Sequence, residues 1–275
     1  MSERKLSGNK KCEAKPPEDE TAISPAAAAP ADLFHTAADP SLTEDLALSL
    51  LKRADLHAQV IEQLARNASA LKSRKVKVAL ASHPHTPRHV SVPLARQFYT
   101  FDLMKVALAP SVPADVKVAV DDVLIARLKA VTIGERLTLA RRASGRVAAA
   151  LLLDSEDTAT AIAVPKPAGA SKKPAARRSR VLPVALDNPR LTEALVINSV
   201  LSPAASAALV EAVARHAKWS RRKDIRAALL RTEHVSLARA LEFSREIHAA
   251  QLQEILATSR LPEKIKNQLL REKLV

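Results

Sequence analysis

The chain carries Asp39-Pro40-Ser41-Leu42-Thr43-Glu44-Asp45-Leu46 and returns to the same pattern as Asn188-Pro189-Arg190-Leu191-Thr192-Glu193-Ala194-Leu195. Pro40 and Pro189 stand 149 residues apart, and that offset, held without a gap, keeps finding matches. Glu62, Ala65, Arg66 and Ala68 meet Glu211, Ala214, Arg215 and Ala217. His85 meets His234, Arg96 meets Arg245, Leu103 meets Leu252, and Pro113 and Lys117 meet Pro262 and Lys266. Apolar residues also meet apolar ones: Ile61 with Val210, Val76 with Ile225, Leu80 with Leu229, Val106 with Ile255. Roughly one aligned position in five is identical from about residue 36 to 124, a register too long to arise by slippage, and it reads as an internal duplication.

Within each copy the pattern is helical. Thr43 is an N-cap, with Glu44 and Asp45 in the first turn, where carboxylates meet the positive helix end. Asp55 is a candidate cap for the next helix, and Ser73 for the one after, which stops at Ser82-His83-Pro84 because proline disfavours helix in the residue before it. Thr86-Pro87 reads as cap and first helical residue, and Ser202-Pro203 and Leu261-Pro262 repeat that logic. Apolar residues fall at i, i+3, i+4 and i+7, so each helix, about 10 to 14 residues long, has a face that it cannot bury alone. Stacked side by side, such helices make an α-solenoid held by nearest-neighbour contacts. Val147 to Leu153 is nearly all apolar and is expected at the centre.

Composition points the same way. Ala, Leu and Val dominate, aromatics make up 2 % of the chain, and there are four glycines, so turns and strands of a sheet protein are hard to build. The fold class expected is all-α. The one cysteine, Cys12, excludes a disulfide framework and a Cys-based metal site, and makes the reducing cytoplasm the expected compartment. Residues 1 to 35 are polar, with no apolar core for a secretory signal, and are expected to be a disordered tail. No apolar run approaches the roughly 18 residues of a membrane span. Residues 164–183 hold Pro165, Pro167, Pro174 and Pro183 with six cations and no acid, a linker or loop between a first array at 36–163 and a second at 184–275.

The turn signatures Ala-Leu-Asp-Asn-Pro-Arg-Leu-Thr-Glu (185–193) and Ala-Leu-Ala-Ser-His-Pro-His-Thr-Pro (79–87), with Trp219-Ser220-Arg221-Arg222-Lys223 ahead of a helix, resemble bacterial HEAT-like, or variant leucine-rich, α-helical repeat proteins. The resemblance covers most of residues 36–275 and implies a HEAT-like α-solenoid. It is nearly silent on activity and brings no catalytic residues with it.

Chemistry-bearing clusters are few. His83, His85 and His89 are too few for a tetrahedral metal site without Cys, and read as solvated turn residues. Asp121 and Asp122, and Asp154, Glu156 and Asp157, read as helix-end acids rather than catalytic pairs. No phosphate-cradling loop, nucleophile elbow or zinc-peptidase motif occurs. No cofactor, metal or catalytic residue is therefore expected.

The most informative positions are basic. Arg66, Lys72, Arg74 and Lys77 align with Arg215, Arg221, Lys223 and Arg226, four cations holding their places while their neighbours change. The functional reading is a basic stripe along one face; the ordinary one is a solvated surface with Arg66 and Arg215 complementing helix C-termini. Trp219 is an anchor if exposed; the ordinary expectation is a core ring filling gaps in an Ala-rich stack. With a net charge of +14, anionic partners are favoured. The function expected is a non-catalytic scaffold binding a macromolecular partner, a protein and an acidic one if the stripe binds it. The alternative is a nucleic-acid-binding module. A HEAT-like DNA glycosylase is a weaker reading, because base handling uses aromatic stacking.

Overall fold

The computed structural model describes residues 30–154 and 180–274, and among them every regular element is a helix. The first half is α1 (Pro30–Ala38), α2 (Glu44–Leu51), α3 (Ala58–Arg66), α4 (Arg74–Ser82), α5 (Arg88–Ala95), α6 (Thr100–Leu108) and α7 (Ala114–Arg127). Two middle helices follow, α8 (Ile133–Arg142) and α9 (Gly145–Leu153). The second half is α10 (Val181–Leu186), α11 (Glu193–Leu201), α12 (Ala207–Arg215), α13 (Lys223–Arg231), α14 (Leu237–Arg245), α15 (Ala249–Ala257) and α16 (Glu263–Leu274). Each of α11 to α16 begins 149 residues after its counterpart among α2 to α7.

Helices pack chiefly on those two places away in the chain. α2 packs on α4 and α4 on α6; α5, α7, α9, α11, α13 and α15 touch in succession; α8 packs on α10 and α10 on α12. One apolar core runs through all of it, with Leu80, Leu103, Leu139, Leu152, Val210 and Leu229 fully buried. α9 lies at its centre, burying Val147, Ala148, Ala149, Leu151 and Leu152. Its start needs a glycine: a Cβ on Gly145 would lie 2.3 Å from the carbonyl oxygen of Arg190, which no side chain tolerates.

The turns are tied to one another by side chains that reach back 28 to 33 residues. Asn67 Nδ2 donates to Ala37 O and Asp39 O at 3.0 and 2.7 Å, and Ser111 Oγ to Ser82 O at 2.7 Å. Arg127 Nη1 donates to Phe98 O at 2.6 Å, Ser259 Oγ to Leu230 O at 2.6 Å, and Lys273 Nζ to Ser244 O at 3.0 Å. Each bond ends on a backbone carbonyl at or just beyond a helix C-terminus, where the helix itself leaves acceptors over.

Several local expectations need correction. Helix α1 begins at Pro30, inside the stretch assigned to a tail. Helix α10 begins at Val181, ahead of the expected boundary at 184, with Val181 and Leu182 buried. Pro183 is no obstacle there, because the first-turn N–H groups of a helix have no internal partner to lose. Asp55 does not cap α3; His57 occupies that position and Asp55 pairs with Arg53 Nη2 at 3.0 Å. Thr86 does not cap α5; its hydroxyl donates back to Leu80 O at 2.6 Å, and Pro87 is the N-cap. Ser202-Pro203 starts no helix; α12 begins at Ala207, with Ser206 accepting from Leu209 N. Thr43 and Ser73 do cap α2 and α4. The remainder of the expected tail and linker lies outside the described residues.

Candidate binding surface

The eight cations aligned at the 149 offset fall into two groups, around the turn from α3 to α4 and the turn from α12 to α13. Arg66, Lys72, Arg221 and Lys223 are exposed. The others are engaged. Arg74 Nε donates to Asp102 Oδ2 at 2.6 Å, and its guanidinium lies 4.8 Å from the centre of the Tyr99 ring. The Asp102 hydrogen bond holds Arg74 above its ordinary pKa. Lys77 Nζ reaches Gln97 Oε1 at 3.4 Å, and its counterpart Arg226 pairs with Glu246, the counterpart of Gln97. Arg226 is largely covered, with its Cζ 5.7 Å from the Phe243 ring centre. Arg215 pairs with Glu211 one turn earlier on α12. Half of the expected stripe is therefore occupied with intramolecular partners.

Trp219 is no anchor. It is 2 % exposed, and its Nε1 donates to Leu186 O at 2.8 Å. An indole buried with its N–H satisfied is a packing residue, and Lys218 Nζ lies 4.0 Å from its ring centre. His83 is not a solvated turn residue either. It is buried, its Nε2 lies 2.8 Å from Arg53 O, and its Nδ1 accepts from His85 N at 3.2 Å. The tautomer with hydrogen on Nε2 satisfies both contacts. His85 Nδ1 lies 2.9 Å from Leu56 O, and His89 is exposed beside Glu62. Among the described residues no three ligating side chains converge on a metal position.

The acids are structural as well. Asp121 is buried, with Oδ2 accepting from Ser144 Oγ at 2.8 Å and Oδ1 lacking a hydrogen-bond partner among the described residues. Burial pushes its carboxyl above the ordinary carboxylate range, against the opposing pull of Ser144. Asp122 pairs with Arg146 at 2.8 Å, and Asp154 with Arg136 at 3.2 Å. Glu156 and Asp157 lie outside the described residues.

Sequence reasoning missed a groove. Helices α2, α4 and α6 enclose an open concavity of about 720 Å³, lined by Glu44, Arg74, Lys75, Val78, Ala79 and Lys105 among others. Beside its lining residue Arg74, Tyr99 stands 68 % exposed, in a chain with six aromatic residues. A smaller concavity of about 190 Å³ sits at the equivalent helices, between α13 and α15, lined by Lys223, Arg226, Ala227, Glu246 and Gln251. The available signal was the spacing of Lys75, Val78 and Ala79, one exposed face of α4; comparing cations only where both copies carry one passed over Lys75 and Lys105.

No described helix is long and apolar enough to cross a membrane. No protein-family model matches this chain, and no curated protein and no solved structure matches it.

Proposed function

We propose that the chain is a non-catalytic scaffold: a HEAT-like α-solenoid with an internal duplication, working in a reducing compartment, the cytoplasm, and binding a protein partner on its helical surface. The observation that carries the reading is the groove across α2, α4 and α6, an open concavity lined by Val78 and Ala79 and by charged side chains, with the exposed ring of Tyr99 beside Arg74. Contacts two helices apart and turn ties of near-constant reach support the stacked architecture. The non-catalytic part rests on what the buried polar side chains do: Asn67, His83, Thr86, Arg136, Asn188 and Ser259 each hold a backbone carbonyl.

The alternating stack also bears on the basic positions. α4 and α13 stand nine places apart in the order of helices, an odd number, so alternate packing assigns the two to opposite rows. Arg74 and Lys77 on α4 then lie in the other row from Lys223 and Arg226 on α13, which weakens the nucleic-acid reading that a single stripe would favour. The experiment is affinity capture from cell extract, with and without nuclease, across a salt series. A protein reader retains its partner after nuclease treatment. Loss of all capture on nuclease treatment, with log K falling by about 0.9 per phosphate contacted against log salt, establishes the nucleic-acid alternative instead.

A further inference from the structure

The two concavities occupy equivalent helices, α4 with α6 and α13 with α15, and two exposed positions on those helices carry opposite charge. Lys75 on α4 and Lys105 on α6 both line the first groove. At the 149 offset stand Asp224 on α13 and Glu254 on α15, both exposed. The surroundings change in step: Tyr99 is replaced by His248, and Val78 by Ala227. The first groove is lined by three cations, Arg74, Lys75 and Lys105, and the second by two, Lys223 and Arg226.

We propose that the α2–α4–α6 groove is the binding site for an extended peptide segment of the partner, one that alternates carboxylate and apolar side chains. The proposal rests on the scaffold reading above and names its site and ligand class. Three features set the ligand chemistry. First, α4 opens into the groove with Arg74 and Lys75 in its first turn and no acid there. Cations at the positive end of a helix are unfavourable in the isolated protein, and a bound carboxylate relieves them. Lys75 has only an exposed Glu44 at 3.2 Å to offset it, and no described acid pairs with Lys105.

Second, the floor between these cations is Val78 and Ala79, which offer an apolar side chain somewhere to desolvate. Tyr99, with the guanidinium of Arg74 4.8 Å from its ring centre and Arg74 bonded in turn to Asp102, stands as an exposed aromatic ring beside these lining residues. Aromatic side chains of this kind give contact area at small entropic cost. Third, Glu44 and Asp102 interrupt the cations. An unbroken polyanion such as a nucleic-acid backbone would lie against Glu44, whereas a peptide can place an apolar or donor side chain there. Charge pattern, floor and ring together select an acidic-apolar peptide over a nucleic acid.

The test uses the full chain and four fluorescein-labelled probes: a 12-residue peptide alternating Glu with Leu and Phe, the same peptide with Lys for Glu, a 12-nucleotide single strand and a 12-base-pair duplex. The acidic peptide is expected to bind with a stoichiometry of one, and the other three to bind more weakly. The Lys75→Glu, Lys105→Glu double variant alters exposed residues only, so its circular dichroism and melting temperature should stay those of the parent. It is expected to lose the acidic peptide by at least about tenfold, the effect of placing like charges across a contact. Asp224→Lys with Glu254→Lys is the converse variant, expected to give the second groove affinity for the same probe and raise the stoichiometry towards two. Acidic-peptide binding that is indifferent to the Lys75 and Lys105 reversal, or preferred binding of either nucleic acid, overturns the proposal. Extract capture separates this from the broader reading: a nuclease-resistant partner retained by the double variant removes the groove and leaves the scaffold standing.

Discussion

Trp219 and Ala70 occupy equivalent positions, and both are buried. The two halves therefore fill the same site with side chains of very different volume. In the second half the indole spans the gap to α10 and ties itself to Leu186 O. Trp219→Ala is expected to cost about 3–5 kcal/mol in denaturant unfolding, the usual loss for a buried large aromatic. Trp219→Phe keeps most of the volume and leaves Leu186 O without that donor, an expected cost of about 1–3 kcal/mol. Equal losses from both variants would mean that the hydrogen bond, and not the packing, is what the site needs.

Asp121 supplies a pH dependence. Its carboxyl is raised above the ordinary carboxylate range by burial. The folded chain then holds a proton at Asp121 that the unfolded chain has released, so stability falls as pH rises through the window above the ordinary value. Asp121→Asn removes the charge and keeps an acceptor for Ser144. Its effect on the unfolding midpoint is expected to be more stabilising at pH 7 than at pH 4. A variant that destabilises equally at both would show the ionised carboxylate to be favourable where it stands.

At the scale of the helix, α4 and α13 make a natural pair. Leu80 and Leu229 are both fully buried in them. Truncating either to Ala should lower stability by about 2–5 kcal/mol, and a loss below about 0.5 kcal/mol would place that side chain outside the core. The start of α9 is the strictest position of any helix end here. Gly145→Ala pushes a methyl group into the Arg190 carbonyl, and moving backbone to admit it should cost about 1–3 kcal/mol. α9 also explains an asymmetry between α2 and α11. Leu195 lies against the start of α9, two helices before its own, while its counterpart Leu46 on α2, with no described helix two places before it, is 44 % exposed.

For the whole molecule, packing between helices two places apart makes stability a sum of local contacts. The Leu80→Ala and Leu229→Ala losses should accordingly add in the double variant to within about 0.5 kcal/mol, since the two sites share no partner. A coupling well above that value, measured by a double-mutant cycle, would mean that the halves unfold through shared contacts.

The amino-acid sequence by itself determined the helical class, the 149-residue correspondence and the leucine core, while most helices proved shorter, at 8 or 9 residues, than their apolar period implied. The three that it determined follow from local rules: propensity, apolar period, and Ser, Thr or Pro at helix starts. It did not reveal the shorter recurrence of turn ties, because Asn67, His83, Ser111, Arg127, Ser259 and Lys273 do one job with different donors. A carbonyl at a helix end needs a donor, not a particular residue, so the recurrence leaves no trace in residue identity. The fate of the basic positions was likewise decided only in three dimensions. Arg74 and Arg226 look like surface cations until Asp102 and Glu246 are brought beside them from helices and turns more than one element away. The groove belongs to tertiary structure for the same reason: Lys75, Val78 and Lys105 come from two helices, and only the packing of α2, α4 and α6 makes their separate faces one surface.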